Sequence, residues 1–344
     1  MKAIRENARA FKAKTGVKLC AVVKADAYGH GAEAVAATLA GIADCFAVSL
    51  VEEAIAIRAA SLGKDILVLT PPTSAETAFT AMSYGCILTV SDLWTARLID
   101  GVARRYGLPC KVHLKTNTGM NRYGMNASML GKVCKILRKS AFTRVEGIFS
   151  HLYTCDGESC EKQRQIFVRQ VGVCRRYFPE VTAHLSATYG ATLSKAFAFD
   201  MVRVGLGLYG YFPEGGEDAS NRFPALQKAM TAYAEISASR QISFGGVGYG
   251  AMTETKRRAG KRLSVLRVGY ADGTGHAQAN AATENEYPVG DFCMDACFLR
   301  GKRQRGGRVT LFEDAQTLAK KRNTIVYEVL CLTALRAERV YRNG

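Results

Sequence analysis

Lys24 ends a short apolar run, residues 19–23, that reads as a fully buried strand. A charge at the exit of such a strand is costly unless it is paired, solvated or chemically used. Lys24 is therefore either a snorkelling strand end or an amine held ready to form a Schiff base with a carbonyl. Other polar or basic positions follow similar apolar runs: Tyr28 just beyond Lys24, then Lys115 with Arg122, His151, Thr188, and Arg203 ahead of Gly205 and Leu206. Each has an ordinary structural role when taken alone. Lys115 and Arg122 could be surface charges, His151 a satisfied core histidine, and Thr188 a helix N-cap. Together they would form a largely basic rim, suited to an anionic ligand such as a phosphate or carboxylate. No tuned pair of carboxylates accompanies them, since Asp26, Glu52, Glu53 and Asp156 show no partnership in sequence. That argues against metal-assisted hydrolysis and glycoside cleavage. It suits cofactor chemistry in which a lysine holds an aldehyde and tyrosines move protons.

The elements that must position these residues alternate with unusual regularity. Buried-strand runs fall at residues 19–23, 44–48, 66–69, 86–90, 111–114, 145–149, 181–185 and 201–204. Amphipathic helix-length segments lie between them, among them 52–60, 92–106, 127–139 and 161–177. Asp92 and Asn126 stand at N-cap positions, and Gly63, Gly85 and Gly107 fall where helices should stop. Eight strands with intervening helices is the count of a (β/α)8 TIM-type barrel, in which functional residues sit at the C-terminal strand ends. The chemistry-bearing positions above, with Leu69 after the third run, fall at such ends. An open doubly wound sheet is the structural rival, because alternation alone does not close a barrel. From about residue 225 the pattern changes to β-runs at 230–237, 263–268, 296–299, 308–312 and 338–341, with one short helix at 315–320. The division is thus a barrel over residues 1–222 and a smaller, mostly β C-terminal domain over 223–344.

Composition narrows the remaining classes. No apolar run reaches the length of a transmembrane helix, and residues 1–14 are basic without the apolar core of a secretory signal. Eleven cysteines occur without a C-x-x-C pair, several of them inside apolar runs, as at Cys20, Cys45 and Cys86. That is the usage of a reducing cytoplasm, with no disulfide framework and no metal site. The net charge of +17 is high, and five basic residues sit in each of two glycine-containing blocks, 256–262 and 300–308. Neither block has the aromatic interleaving of a nucleic-acid module, so the expectation is a solvated basic surface, with no nucleic-acid or membrane partner.

The motifs themselves carry a resemblance. Ala21-Val-Val-Lys-Ala-Asp-Ala-Tyr-Gly-His-Gly31 closely resembles the pyridoxal-phosphate lysine signature of the alanine racemase family. In the same order follow Lys115-Thr-Asn-Thr-Gly-Met-Asn-Arg122, Val202-Arg-Val-Gly-Leu-Gly-Leu-Tyr-Gly210, Gly269-Tyr-Ala-Asp-Gly273, Cys293-Met-Asp295 and Tyr327-Glu-Val-Leu-Cys331. The resemblance spans nearly the whole chain, and these motifs together are specific. It implies a pyridoxal 5'-phosphate enzyme that interconverts L-alanine and D-alanine, works as a head-to-tail homodimer with shared active sites, and supplies D-alanine for peptidoglycan. Lys24 would carry the cofactor and serve as one base, with Tyr249 of the partner subunit as the opposite base. Arg203 would bond the pyridine nitrogen, and His151 would bridge Arg203 and Tyr249. Tyr28, Thr188, Tyr327 and the amides of Gly205 and Leu206 would hold the phosphate, with Leu69 also lining the cofactor. Arg122 would contact the phenolic oxygen and the substrate carboxylate, helped by the backbone of Met294 from the partner chain. Lys115 would support Arg122, often as a carbamate in this family, and Tyr270 would line the pocket mouth. A racemase of another small amino acid such as serine, or a non-catalytic protein that only binds the cofactor, are the alternatives. Four departures accompany the resemblance. Ala187-Thr188 replaces the usual Asn-Ser, and Asn117 stands where many members have Asp. The chain starts inside its first helix, without the strand that normally precedes it, and only 19 residues separate Gly273 from Cys293.

Overall fold

The computed structural model describes residues 1–243, 247–249, 262–276 and 280–342. The basic block 256–262 lies outside the described residues except for Arg262. Two compact units result. The first takes in Met1–Ala27, Gly31–Gln227 and Arg342–Gly344; the second takes in Tyr28–His30 and Lys228–Tyr341.

The first unit is the expected barrel. Its strands are β1 Lys18–Val22, β2 Cys45–Val48, β3 Asp65–Val68, β4 Ile87–Val90, β5 Cys110–Lys115, β6 Thr143–Phe149, β7 Thr182–His184 and β8 Met201–Val204. Their order in the sheet is β7-β6-β5-β4-β3-β2-β1-β8, and every pair is parallel. β8 returns to β1 with Cys20 opposite Arg203. The remaining seam is closed by backbone bonds from Asp200 N–H to the Ala183 carbonyl (3.0 Å) and from Arg203 N–H to the Ser186 carbonyl (2.9 Å). A sequential, closed order rules out the doubly wound alternative, whose strand order must reverse. The strands read as apolar runs because a parallel barrel is covered on both faces.

The caps read from the sequence are in place. Asp92 accepts from the Thr95 amide at the start of Leu93–Tyr106, and Gly107 ends that helix at φ 63°. Asn126 caps Ala127–Leu137 through the Met129 amide. The helix expected over 161–177 begins earlier, at Gly157, because Asp156 caps it through Ser159. The first unit also runs past residue 222. Phe223 is buried and stacks on Phe11 at 4.3 Å between ring centroids. Asn7 donates to the Gln227 carbonyl (2.8 Å) and accepts from its amide (2.9 Å), so the compact unit extends to Gln227.

The second unit holds an antiparallel sheet of β9 Ala232–Gln241, β10 Arg262–Leu266, β11 Cys297–Arg300 and β12 Arg308–Phe312, ordered β11-β10-β9-β12. Two helices, Ala315–Lys321 and Val326–Thr333, accompany it. The second helix was absent from the sequence reading. Its buried positions Val326, Val329, Leu330 and Thr333 follow the i, i+3, i+4, i+7 spacing of one helix face. The strand expected at 338–341 does not form; those residues pair with no other strand. In the short polar segment after Gly273, Ala281, Ala282 and Thr283 are buried, and the Arg322 guanidinium donates to the carbonyls of Ala281, Ala282 and Gly273.

Candidate active site

Lys24 leaves β1 in an unusual backbone. Ala25, Asp26, Ala27 and Tyr28 all have φ between 50° and 54°, a left-handed turn made without glycine. Such a turn costs on the order of 1–2 kcal/mol per residue, so it persists only where surrounding groups enforce it. Here two carboxylates do so. Glu53 accepts from the Ala25 amide (2.6 Å) as well as from Ser49 and Leu50, and Asp26 accepts from the Ala32 amide (2.7 Å). Two of the four acidic residues without a partner in sequence, Asp26 and Glu53, are thus backbone anchors around the lysine, and Lys24 itself is half-buried.

Arg203, on β8, is almost wholly enclosed. Nη1 donates to the His184 carbonyl and to His184 Nδ1, both at 2.9 Å. Nη2 donates to the carbonyls of Ser150 (2.6 Å) and Leu185 (3.1 Å) and lies 3.4 Å from His151 Nδ1. Arginine is only a donor, so Nδ1 of His184 must be the acceptor and its proton must sit on Nε2. That nitrogen is 2.9 Å from Nδ1 of His113. A chain of donors therefore runs Arg203, His184, His113 through the barrel. Among the described residues, Arg203 Nε has no protein acceptor. Among the described residues no carboxylate pairs with the buried charge, and desolvation lowers the Arg203 pKa to about 10. Burial, then the Arg203 charge, pushes His184 well below its ordinary value, and burial takes His113 down to about 3.

The other cations gather at the same strand ends. Lys115, at the end of β5, is buried with its ammonium 4.7 Å from the Phe149 ring centroid. Burial and then the Arg203 and Arg122 charges press its pKa well below the normal lysine value. His151, after β6, is lowered by burial and then by Arg203, Lys115, Arg122 and Lys24, so its ring feels all four positive groups. The loop that presents the exposed Arg122 is organised by Asn117. Its Oδ1 accepts from Gly119 (2.9 Å) and Asn121 (3.1 Å), while its Nδ2 donates to Asn121 Oδ1 (2.7 Å). Asp at this position could accept but not make the last bond. Gly124 is required here, since a Cβ would lie 2.5 Å from the Thr116 carbonyl carbon, and Gln170 donates to the Asn117 carbonyl (2.9 Å).

Thr188 accepts from the Gly207 amide (3.0 Å) through its hydroxyl. A Cβ on Gly207 would come within 2.6 Å of the Phe11 ring and 2.8 Å of Thr188, so this loop is closed down to backbone contact. Among the described residues, the amides of Gly205 and Leu206 have no protein acceptor. Leu69, half-buried, follows β3. Orphan amides beside a hydroxyl form an anion cradle, and the unpaired Nε of Arg203 offers a donor to an aromatic nitrogen. This donor set fits a phosphorylated pyridine cofactor.

Within the second unit, the rings of Tyr28 and Tyr327 lie 5.9 Å apart. Tyr249 is 77 % exposed, and Tyr270 and Met294 also face solvent. The Gly269 and Cys293 motifs cross directly. Tyr270 N–H donates to the Cys293 carbonyl (3.1 Å) and Ala271 N–H to the Met294 carbonyl (3.0 Å), and a Cβ on Gly269 would strike both carbonyl oxygens. The sequence reading missed His184, His113 and Gln170. The two histidines lie inside strands, where inward-facing alternation was the available signal. Gln170 sits mid-helix with nothing local to mark it. Among the described residues, no group of three or more His, Cys, Asp or Glu is placed to hold a metal, and no helix is long and apolar enough to cross a membrane.

Fold and site together define a (β/α)8-barrel protein with basic side chains gathered at its strand ends, followed by an antiparallel β unit. Residues 1–213 match the family model for the alanine racemase N-terminal domain, and residues 229–341 the model for its C-terminal domain. The chain belongs to the alanine racemase family. Alanine racemase of Prochlorococcus marinus is 33 % identical over 94 % of this chain and 89 % of its own length. That of Streptococcus pyogenes serotype M28 is 34 % identical over 99 % and 96 %. The solved alanine racemase of Clostridium difficile 630 is similar with a TM-score of 0.83, 28 % identity and coverage of 96 % of this chain and 91 % of that one. The Streptomyces coelicolor structure gives 0.85 at 27 % identity, covering 100 % and 96 %.

Proposed function

We propose that this chain interconverts L-alanine and D-alanine with pyridoxal 5'-phosphate held on Lys24, working as a homodimer in the cytoplasm and supplying D-alanine for peptidoglycan. The observation that carries this reading is the enclosed Arg203 guanidinium 3.4 Å from His151, with Lys115 buried at the end of β5 and an amide cradle just after Arg203 at Gly205 and Leu206. When bound, the cofactor withdraws electrons from the substrate and acidifies its Cα–H bond. Thr188 and the amides of Gly205 and Leu206 would hold the phosphate, joined by Tyr28 and Tyr327. Leu69 would line the cofactor, and Arg203 Nε would donate to the ring nitrogen. Because arginine keeps its proton, that nitrogen stays unprotonated, which restrains side reactions that need a stronger electron sink.

Racemisation needs a proton removed from one face of Cα and returned on the other. Lys24 would act on one face. Tyr249 of the partner subunit would act on the other, its exposure on this chain leaving it open to a second copy. Arg203 can only donate to His151 Nδ1, so the His151 proton belongs on Nε2, from which it would bond the phenol of Tyr249. Arg122, supported by Lys115, would bind the substrate carboxylate. The Met294 backbone from the partner chain would assist it, and Tyr270 would narrow the mouth of the pocket. Burial, which presses the Lys115 pKa down, favours the free amine that would take up carbon dioxide as a carbamate.

Borohydride treatment of the protein with its cofactor should fix the pyridoxyl group on Lys24, located by peptide mass. Lys24→Ala should abolish both that label and L-to-D exchange of alanine. Full exchange in Lys24→Ala would overturn the mechanism. Faster turnover of L-serine than of L-alanine by the unaltered chain would overturn the substrate.

A further inference from the structure

The segment after helix Val326–Thr333 has neither helix nor strand, and Leu335 and Val340 are 68 % and 75 % exposed. Its ordinary reading is a frayed terminus. Two of its arginines, Arg336 and Arg339, act otherwise. Arg336 Nη1 donates to Asp295 Oδ1 (2.7 Å), while Nε and Nη2 donate to the two oxygens of Asp272 (2.9 and 3.4 Å). Asp272 also accepts from the Gly269 amide (2.9 Å), so it closes the turn that carries Tyr270. Asp295 directly follows Met294. One guanidinium therefore spans the two crossing loops that present Tyr270 and Met294. Arg339 Nε donates to the Gly29 carbonyl (2.9 Å). Gly29 follows Tyr28 at φ 81°, so close to helix Val326–Thr333 that a Cβ would lie 2.5 Å from the Leu330 carbonyl oxygen. The second arginine thus fixes the peptide bond next to Tyr28, across from Tyr327.

We propose that residues 334–341 form a positioning strap with divided duties: Arg336 sets the substrate-facing loops, and Arg339 sets the paired tyrosines of the phosphate site. The inference rests on the function proposed above. A planar guanidinium can bridge two carboxylates, whereas an ammonium on a flexible stem serves one at a time. That difference supplies the control.

The test uses the full chain. Arg336→Met is expected to raise KM for L-alanine about tenfold with kcat nearly unchanged, the scale of one lost charge-assisted contact. Arg336→Lys should recover part of that loss. Arg339→Met should instead weaken uptake of pyridoxal 5'-phosphate by the apoprotein about tenfold, read by absorbance titration, with KM unchanged once the cofactor is saturating. Unchanged KM in the first and unchanged uptake in the second would overturn the proposal. So would variants that both lose KM and uptake in step with a lowered melting temperature, since that is a shared structural defect. Hydrogen exchange at the Tyr270 and Ala271 amides should quicken in Arg336→Met whatever the reaction, and unchanged exchange there would also overturn it. If the unaltered chain fails to racemise alanine, the proposed function falls. Exchange and cofactor uptake still decide whether the strap positions these loops.

Discussion

Arg203 and Arg336 each tie together three stretches of chain, one inside the barrel and the other on the surface of the second unit. Arg203 is 3 % exposed and bonds only to carbonyls and imidazoles. Arg336 keeps about half its side chain in water and bonds only to carboxylates. Their proton affinities diverge accordingly: desolvation draws Arg203 down to about 10, whereas the Asp295 and Asp272 bonds push Arg336 up. An uncompensated buried charge projects its field through a medium that screens poorly, and Lys115, His151 and His184 all register it. A paired, exposed charge is nearly invisible beyond its own partners. The barrel site is therefore electrostatically one object, while the loops around Tyr270 are held by local contacts that solvent can reach.

The largest expected effect breaks the buried member of that comparison. Arg203→Leu removes a donor from several enclosed acceptors, and it should cost about 3–5 kcal/mol of stability in urea unfolding. Arg336→Leu should leave the unfolding midpoint where it is. Equal losses in the two variants would mean that the surface clamp carries fold stability and that the contrast is false.

A smaller effect sharpens the same point through pH. His113, His151 and His184 have folded-state values below the ordinary imidazole value, His113 at about 3. Between the folded and unfolded values, the unfolded chain binds more protons, so stability must rise with pH. It should be complete above about pH 6.5 and fall as pH drops below it, at about 1.4 kcal/mol per pH unit for each histidine. Urea midpoints between pH 5 and 8 measure this, and His113→Asn should flatten the slope. A profile that stays level down to pH 5 would show that these rings are protonated in the fold.

Much of this was legible in the chain itself. Each of the eight barrel runs became a strand, because a buried parallel strand is written as a continuous apolar stretch with turn residues at its ends. The rim residues followed, since strand ends are fixed once strands are. Helix Val326–Thr333 was harder: its apolar residues are interrupted only by Glu328, and short apolar runs do not separate helix from strand. The false strand at 338–341 has another cause: Val340 and Tyr341 favour strands, but among the described residues they pair with no strand edge. His184 and His113 could be named only once β7 and β5 were placed in one closed barrel, because their partnership spans 71 positions in sequence. The left-handed turn after Lys24 left no trace either. Its residues are two alanines, an aspartate and a tyrosine, and one of its two anchors, Glu53, comes 28 residues after Ala25.

The smallest effect separates the two regions by salt. At 1 M ionic strength the screening length is about 3 Å, against about 10 Å at 0.1 M, so exposed ion pairs weaken while enclosed hydrogen bonds do not. Raising salt over that range should leave kcat of the unaltered chain nearly constant, since the Arg203 network that the proposed cofactor site leans on is enclosed. It should raise KM for alanine about two- to threefold, through loosening of the Arg336 contacts to Asp272 and Asp295. The control is Arg336→Met, whose KM starts higher and has no clamp left to screen, so its salt response should be flatter. If the variant responds as steeply as the unaltered chain, the salt acts instead on attraction between the cationic rim and the substrate carboxylate. The barrel would then be the screened region, and the assignment of soft and rigid halves would have to be exchanged.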